Sequence, residues 1–398
     1  MDIIRIPGSR ILEIARIAFA APDIDLLCFG ESDQPSPASA HAAAVAALDA
    51  GATRYPDVRG LPELRSALAD YLTKLHARPV TEERIQITAS GMTAVSVALA
   101  ATVRAGQRVV LHSPSWPNVG NAARLRGAHV DEFALTARPE GGFRMDFDRL
   151  ETMLQGARAF ILNSPNNPTG WTATRDELAT LLDIARRRRV WLISDEFYSR
   201  LVYDGAPAAA SLLDVADADD RVIVCNSFSK TWVMTGWRLG WLVVPEGTRD
   251  AITELVEVTH SGVAPFIQHA GLAAVTDIEV VERFRAHCTT GRARHAGRPQ
   301  RRALRRAGGR VLCVCRRGRT DRQPRAGKAA GGRPPRRGRA WDSIRRGRRG
   351  LSAHLLRAVG RTDRAGHGPV AWWAAGGRHG IWRGGVGPVV SQQNLPPP

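Results

Sequence analysis

The chain has 398 residues, 44% hydrophobic and 24% charged, enough for two domains with a packed core. No run of about 18 apolar residues occurs, which argues against a membrane-spanning helix, and the opening Met1-Asp2-Ile3-Ile4-Arg5 lacks the pattern of a secretory signal. The net charge of +18 is unevenly spread: residues 1–290 carry −6 and residues 291–398 carry +24, with 26 Arg and 20 of the 38 Gly in that last stretch.

The five cysteines, Cys28, Cys225, Cys288, Cys313 and Cys315, show no disulfide or zinc spacing. Cys313-Val314-Cys315 is too closely spaced to chelate zinc, so no metal is expected. A reduced, cytoplasmic protein follows as the expectation.

In chain order, short apolar runs rich in β-branched residues recur at 85–88, 109–111, 159–162, 190–193, 222–224 and 239–244. Most are continuous rather than alternating, as in strands covered on both faces. Helical spacing lies between several of them, over 93–103 and over 176–188, where Leu178, Leu181, Leu182 and Ile184 share a face. Strand–helix alternation predicts an α/β fold with a mostly parallel sheet between helices. Ligands of such sheets bind beyond the carboxyl ends of the strands, so the residues after each strand matter most.

After 85–88 comes Ala89-Ser90-Gly91-Met92-Thr93. This small-residue turn into a helix suits a phosphate, although an ordinary capped helix would read the same way. After 159–162 comes Asn163-Ser164-Pro165-Asn166-Asn167-Pro168-Thr169-Gly170, a rigid turn with dense amide content. Asp195 follows the 190–193 run, and an acid there is costly unless a cation joins it, either a protonated heterocycle or a neighbouring Arg. After 222–224, Lys230 lies among hydroxyls and aromatics, where burial makes an amine nucleophilic; Arg238, with its phosphate-matching fork, comes eight residues later.

Taken in order, these segments resemble the class I/II aminotransferases, the aspartate-aminotransferase-like, pyridoxal-phosphate-dependent enzymes of fold type I. The resemblance rests on Tyr55-Pro56-Asp57-Val58-Arg59-Gly60 with Leu64-Arg65, Ser90-Gly91-Met92, Asn166-Asn167-Pro168-Thr169-Gly170, Asp195 with Tyr198, and Ser227 to Arg238. It covers roughly residues 25–290. It implies a seven-stranded large domain over 46–265, an N-terminal arm with part of a small domain over 1–45, and a helix over 266–290 leading to the small domain.

The resemblance also implies roles. Lys230 would hold pyridoxal 5'-phosphate as a Schiff base and carry the proton between Cα and C4′, while Asp195 would pair with the ring nitrogen. Asn167 and Tyr198 would hydrogen-bond the phenolic oxygen. Ser90, Gly91, Met92, Ser227 and Arg238 would hold the phosphate. Trp116 would stack on the ring, unless it is simply a core residue. Gly30 would lie beside the substrate, and Tyr55 would reach the phosphate bound by a second copy, implying a homodimer. The implied reaction moves an amino group from an amino acid to a 2-oxo acid. A lyase or decarboxylase would use the same cofactor residues.

Residues 291–398 depart from the family. They look like a basic polyanion-binding tail or, more sharply, a small domain read in a shifted frame from near Thr290. When each new codon takes the last two bases of one residue and the first of the next, Gly350 through Ala358 can spell Gly-Tyr-Leu-Arg-Ile-Cys-Phe-Ala. Arg310–Arg316 and Arg339–Arg346 can likewise spell motifs of the family's small domain. The Arg that would clamp the substrate carboxylate then falls across Ala353 and His354. A degraded or disordered small domain is expected. With sparse aromatics and no nucleic-acid motif in this stretch, nucleic-acid binding is not expected.

Overall fold

The computed structural model describes residues 15–16, 19, 30–139 and 141–296. Cys28, Cys313, Cys315, the frameshift reading, the basic tail beyond 296 and most of the N-terminal arm lie outside them.

Helices α1 (Ala38–Asp49) and α2 (Pro62–His76) precede strand β1 (Ile85–Thr88). Then come α3 (Gly91–Thr102), β2 (Arg108–Ser113), α4 (Pro117–Leu125) and β3 (His129–Ala134). A small hairpin, β4 (Thr136–Ala137) and β5 (Phe143–Arg144), leads to α5 (Phe147–Met153), β6 (Ala159–Asn163), α6 (Arg175–Arg188) and β7 (Trp191–Asp195). β8 (Val222–Ser227), the short α7 (Phe228–Thr231) and β9 (Gly240–Val243) follow, and α8 (Arg249–His260), α9 (Pro265–Thr276) and α10 (Ile278–Ala296) close the described chain. The 266–290 stretch therefore holds parts of two helices that meet at Asp277, and α10 runs on past residue 290.

The seven-stranded sheet has the order β1-β9-β8-β7-β6-β2-β3. β9 runs antiparallel to β1 and β8, and the other pairings are parallel. All six apolar runs are strands. The seventh, β3, escaped the pattern because it is an edge strand whose residues, apart from Phe133, stay partly or fully exposed. An edge strand covered so little has no reason to be apolar throughout.

Burial explains the continuous runs. Along β6, Phe160 and Leu162 enter one core while Ala159 and Ile161 enter the other. Successive side chains of a strand point to opposite faces, so a sheet covered on both must be apolar at every position. Each fully buried Leu, Ile or Phe contributes about 1.5–3 kcal/mol by leaving water. The helices start and stop where local chemistry dictates. Thr174 and Glu177 form a capping box at α6, whose last turn carries Arg186, Arg187 and Arg188 against the helix dipole. Pro62, Pro117 and Pro265 begin α2, α4 and α9, where a missing N–H costs no helical bond.

Topology then gathers the site. Thr88 at the end of β1 pairs with Gly240, which also pairs with Ser227 at the end of β8. Asn163 at the end of β6 pairs with Asp195 at the end of β7. The chain leaves β1 through α3 to enter β2, on the far side of four other strands. From the adjacent strands β2 and β6 the chain then runs in opposite directions, to β3 and to β7, a topological switch of the kind where open α/β sheets bind ligands.

Candidate functional site

Lys230 sits in the single turn of α7, just past β8, where the Ser227 hydroxyl caps the turn by accepting the Ser229 N–H at 3.2 Å. Its Nζ donates to the Gly30 carbonyl at 2.8 Å and lies 5.9 Å from the centroid of the Tyr198 ring. A Cβ at Gly30 would stand 3.3 Å from the Tyr198 hydroxyl and 3.7 Å from Nζ, so a bare backbone suits the gap. The Asn167 amide donates to the Tyr198 hydroxyl at 3.5 Å. Gly30, Asn167, Tyr198 and Lys230 are therefore neighbours, although up to 200 residues separate them in sequence.

Asp195 is 2% exposed. Burial pushes its carboxyl up to about 7; the Phe197 N–H, 3.3 Å from Oδ1, pulls the other way, and the buried Glu196 carboxylate pushes it up further. Glu196 itself is tied to the Ser194 hydroxyl at 2.8 Å and the Leu212 N–H at 3.3 Å. An acid held this way at the end of a buried strand suits a cationic partner.

The turn before α3 forms a cradle. Ser90 caps the helix, its Oγ accepting the Thr93 N–H at 3.1 Å. Its φ of 134° lies in a region favoured by glycine, a strain of about 1–3 kcal/mol that persists only where neighbours impose it. Those neighbours include the Thr88 hydroxyl, donating to Ser90 O at 3.0 Å, and His260 Nε2, accepting the Ala89 N–H at 3.2 Å. Gly240 lets the backbones close up, since a Cβ there would fall 2.7 Å from both Gly91 N and Ser90 C. At Gly91 a Cβ would strike the Phe197 ring at 2.6 Å. We expect Gly240→Ala to lose about 1–3 kcal/mol of stability and to bind pyridoxal phosphate more weakly, measured by thermal melting and ligand titration.

The other expected residues are placed less tightly. Met92 and Trp116 are partly buried and pack against the second core, and Trp116 is the N-cap residue just before α4, beyond β2. Ser115 beside it accepts from the Asn166 amide at 3.2 Å, joining that loop to the Asn-rich turn. Arg238 is exposed, sits at φ 54° and donates to the Thr235 carbonyl. Val233 also sits at positive φ, 56°, so the turn between Lys230 and Arg238 carries strain that a β-branched residue avoids elsewhere. Tyr55 is 94% exposed, so its ring meets almost nothing of its own chain.

An open trough of about 480 Å³ borders this turn, lined in part by Glu31, Ser32, Val233, Thr235, Trp237 and Phe266. Neither Lys230 nor Asp195 lines it, so the amine and the buried acid mark the site better than shape does. Among the described residues, no cluster could hold a metal ion and no helix is long and apolar enough to cross a membrane. Sequence reasoning missed three polar residues around the site: His112, Asn163 as a side chain in its own right, and His260. The signal available was position alone, a polar residue ending or following an apolar run.

An amine, a buried acid and a helix N-terminus gather at the strand ends. The residues fit pyridoxal 5'-phosphate: the buried Asp195 acid can face a ring cation, and the close approach at Gly91 and Gly240 leaves a helix N-terminus facing the strand ends. The comparisons agree. The profile of the family described as "Aminotransferase class I and II" matches residues 23–305. An aspartate aminotransferase of Pyrococcus horikoshii is 32% identical over 278 residues, 70% of each chain. The arginine–pyruvate transaminase AruH of Pseudomonas aeruginosa is 32% identical over 255 residues, 64% of each. Among solved structures, aspartate aminotransferase from Thermotoga maritima gives a TM-score of 0.66 at 30% identity, covering 73% of this chain and 79% of that one. An aminotransferase from Mycobacterium tuberculosis gives 0.68 at 30% identity, covering 74% and 77%. The chain belongs to the class I and II aminotransferases, enzymes that use pyridoxal 5'-phosphate.

Proposed function

We propose that Lys230 is the catalytic amine of this aminotransferase, with Asp195, Asn167 and Tyr198 gripping the cofactor ring. The observation that carries the reading is the Lys230 amine beside Tyr198 and Gly30, with the buried Asp195 acid at the same end of the sheet. Bound pyridoxal 5'-phosphate supplies an aldehyde that takes up the amino group and a protonated ring that accepts electrons from the substrate Cα. Lys230 Nζ, partly buried beside Tyr198, would give and take the proton at Cα. Asp195, ionised once a cation faces it, keeps the ring nitrogen protonated. Asn167 and Tyr198 bind the phenolic oxygen from one side. Ser90, Gly91 and Met92 would offer backbone N–H groups to the phosphate, Ser227 would donate its hydroxyl, and Arg238 would supply the balancing charge. Trp116 covers one ring face, and Gly30 lies along the path of the incoming substrate.

The substrates are an amino acid and a 2-oxo acid. The named relatives carry different substrates in their names, aspartate in one and arginine with pyruvate in another, so the pair used here is open to assay. The exposure of Tyr55 supports a homodimer in which it reaches the phosphate of a second copy. Cys225, a free and buried thiol, is consistent with the cytoplasm. The carboxylate-clamping Arg expected in the small domain is absent from the chain as written, so full turnover should be weak and should rise when the reading frame is restored.

The direct test is spectroscopic. Adding pyridoxal phosphate to the purified protein should give a visible absorbance band. An amino acid from a panel should bleach it, and a 2-oxo acid should bring it back. A band that no amino acid alters would refute the transfer reading.

A further inference from the structure

We infer that Asn163 is a positioning residue that sets two edges of the cofactor site at once, the ring-nitrogen edge through Asp195 and the phenolic edge through Asn167. The inference rests on the cofactor-binding reading above and adds a residue to it.

Asn163 ends β6 and is 2% exposed. Its Nδ2 donates to the backbone carbonyl of Asp195 at 3.2 Å and, more weakly, to Pro165 O at 3.5 Å. Its Oδ1 accepts the Asn167 N–H at 2.8 Å and the Asn166 amide at 3.2 Å. One buried amide thus spends both donors and both lone pairs on the two segments that carry Asp195 and Asn167. A carboxylate could not donate to Asp195 O, and an apolar side chain would strand the Asn167 N–H. An amide satisfies both ends.

The backbone of Asn163 is itself held unusually. β2 and β6 stop pairing at Leu111 and Ile161, so the Asn163 N–H finds no strand carbonyl across the gap. The His112 imidazole fills it, Nε2 accepting that N–H at 2.9 Å, with the ring packed against Phe160 and Trp171. Burial pushes His112 down to about 4, which keeps its ring neutral and its lone pair available at working pH. Asn163 is therefore fixed from behind and fixes what lies in front. A ring gripped at opposite edges is sensitive to small relative shifts between its grips, and one side chain bridging both grips limits such shifts.

The test uses the full chain and three ligands: pyridoxal phosphate, its 3-deoxy analogue and its 1-deaza analogue, each titrated by quenching of tryptophan fluorescence. Asn163→Ala should weaken pyridoxal phosphate by about tenfold, the worth of one well-made hydrogen bond. Each analogue lacks one of the two gripped edges and should lose distinctly less. Circular dichroism checks the fold. If the alanine variant does not fold, Asn163→Ser is measured in the same way. Equal losses for all three ligands, or no loss at all, would overturn the inference, because a merely structural amide would penalise every ligand alike. A wild-type chain that bound none of them would instead remove the cofactor reading on which the inference rests.

Discussion

Lys230→Ala is expected to abolish covalent attachment of the cofactor. After incubation with pyridoxal phosphate and reduction with borohydride, the wild-type chain should carry a pyridoxyl label on one peptide, and the variant should carry none there. The sequence makes this readout clean, because the chain has only three lysines, Lys74, Lys230 and Lys328. Lys74 lies in the last turn of α2, where it suits that helix's dipole. Of the two lysines among the described residues, Lys230 is the one with its amine beside Tyr198 and the Gly30 carbonyl, within the field of the Asp195 carboxyl. Any transaminase rate should fall by about 10²–10⁴-fold through loss of proton transfer alone. Peptide mass mapping decides the matter without relying on turnover, and label mapped mainly to Lys74 or Lys328 in the wild type would defeat the assignment.

Asp195→Asn should show two effects of opposite sign. In the cofactor-free protein it should stabilise the fold. The Asp195 carboxyl is raised from 3.8 to about 7 in the folded chain, so between those values the folded state holds a proton that the unfolded state has released. Stability linked to this group is therefore fully present below about pH 3.8, falls as pH rises through that window and stays low above pH 7. An amide avoids that loss, and the variant should gain about 4 kcal/mol over wild type at pH 8, with the gain vanishing below pH 4. In the cofactor complex the sign reverses. A ring cation facing a neutral amide loses its counter-charge, and affinity for pyridoxal phosphate should drop by about 10²-fold. Denaturant melts with and without ligand at pH 4, 6 and 8 separate the two effects. A variant less stable than wild type without cofactor at pH 8 would contradict the account of Asp195.

Together these substitutions describe a site that trades stability for function. A buried acid, a serine at a φ favoured by glycine and a valine at positive φ all disfavour the folded chain locally. They cluster at one end of one sheet, and a ligand that supplies a cation and an anion to that end would offset part of the cost.

Much of this was legible before any coordinates. Six of the seven strands announce themselves as continuous apolar runs, because a sheet buried on both faces permits little else. Helices α3 and α6 follow from spacing and capping residues. Lys230, Asp195, Ser90 and Asn167 stand out because each is a polar residue placed just after such a run, and only chemistry or a cap explains polar residues there. β3 was not legible, since an exposed edge relaxes the demand for apolar side chains.

The amino-acid order by itself determined the strand–helix alternation, the family, and the residue types at the ends of the strands. It could do so because those features depend on local periodicity and on the cost of burying polar groups, both of which are short-range. The tertiary structure alone decided that the Gly30 carbonyl meets the Lys230 amine, that Gly240 opens the cradle at Gly91, and that Asn163 bridges Asp195 and Asn167. Those contacts join segments tens to hundreds of residues apart, through strand order and register, and no local pattern encodes which strand end becomes the neighbour of which.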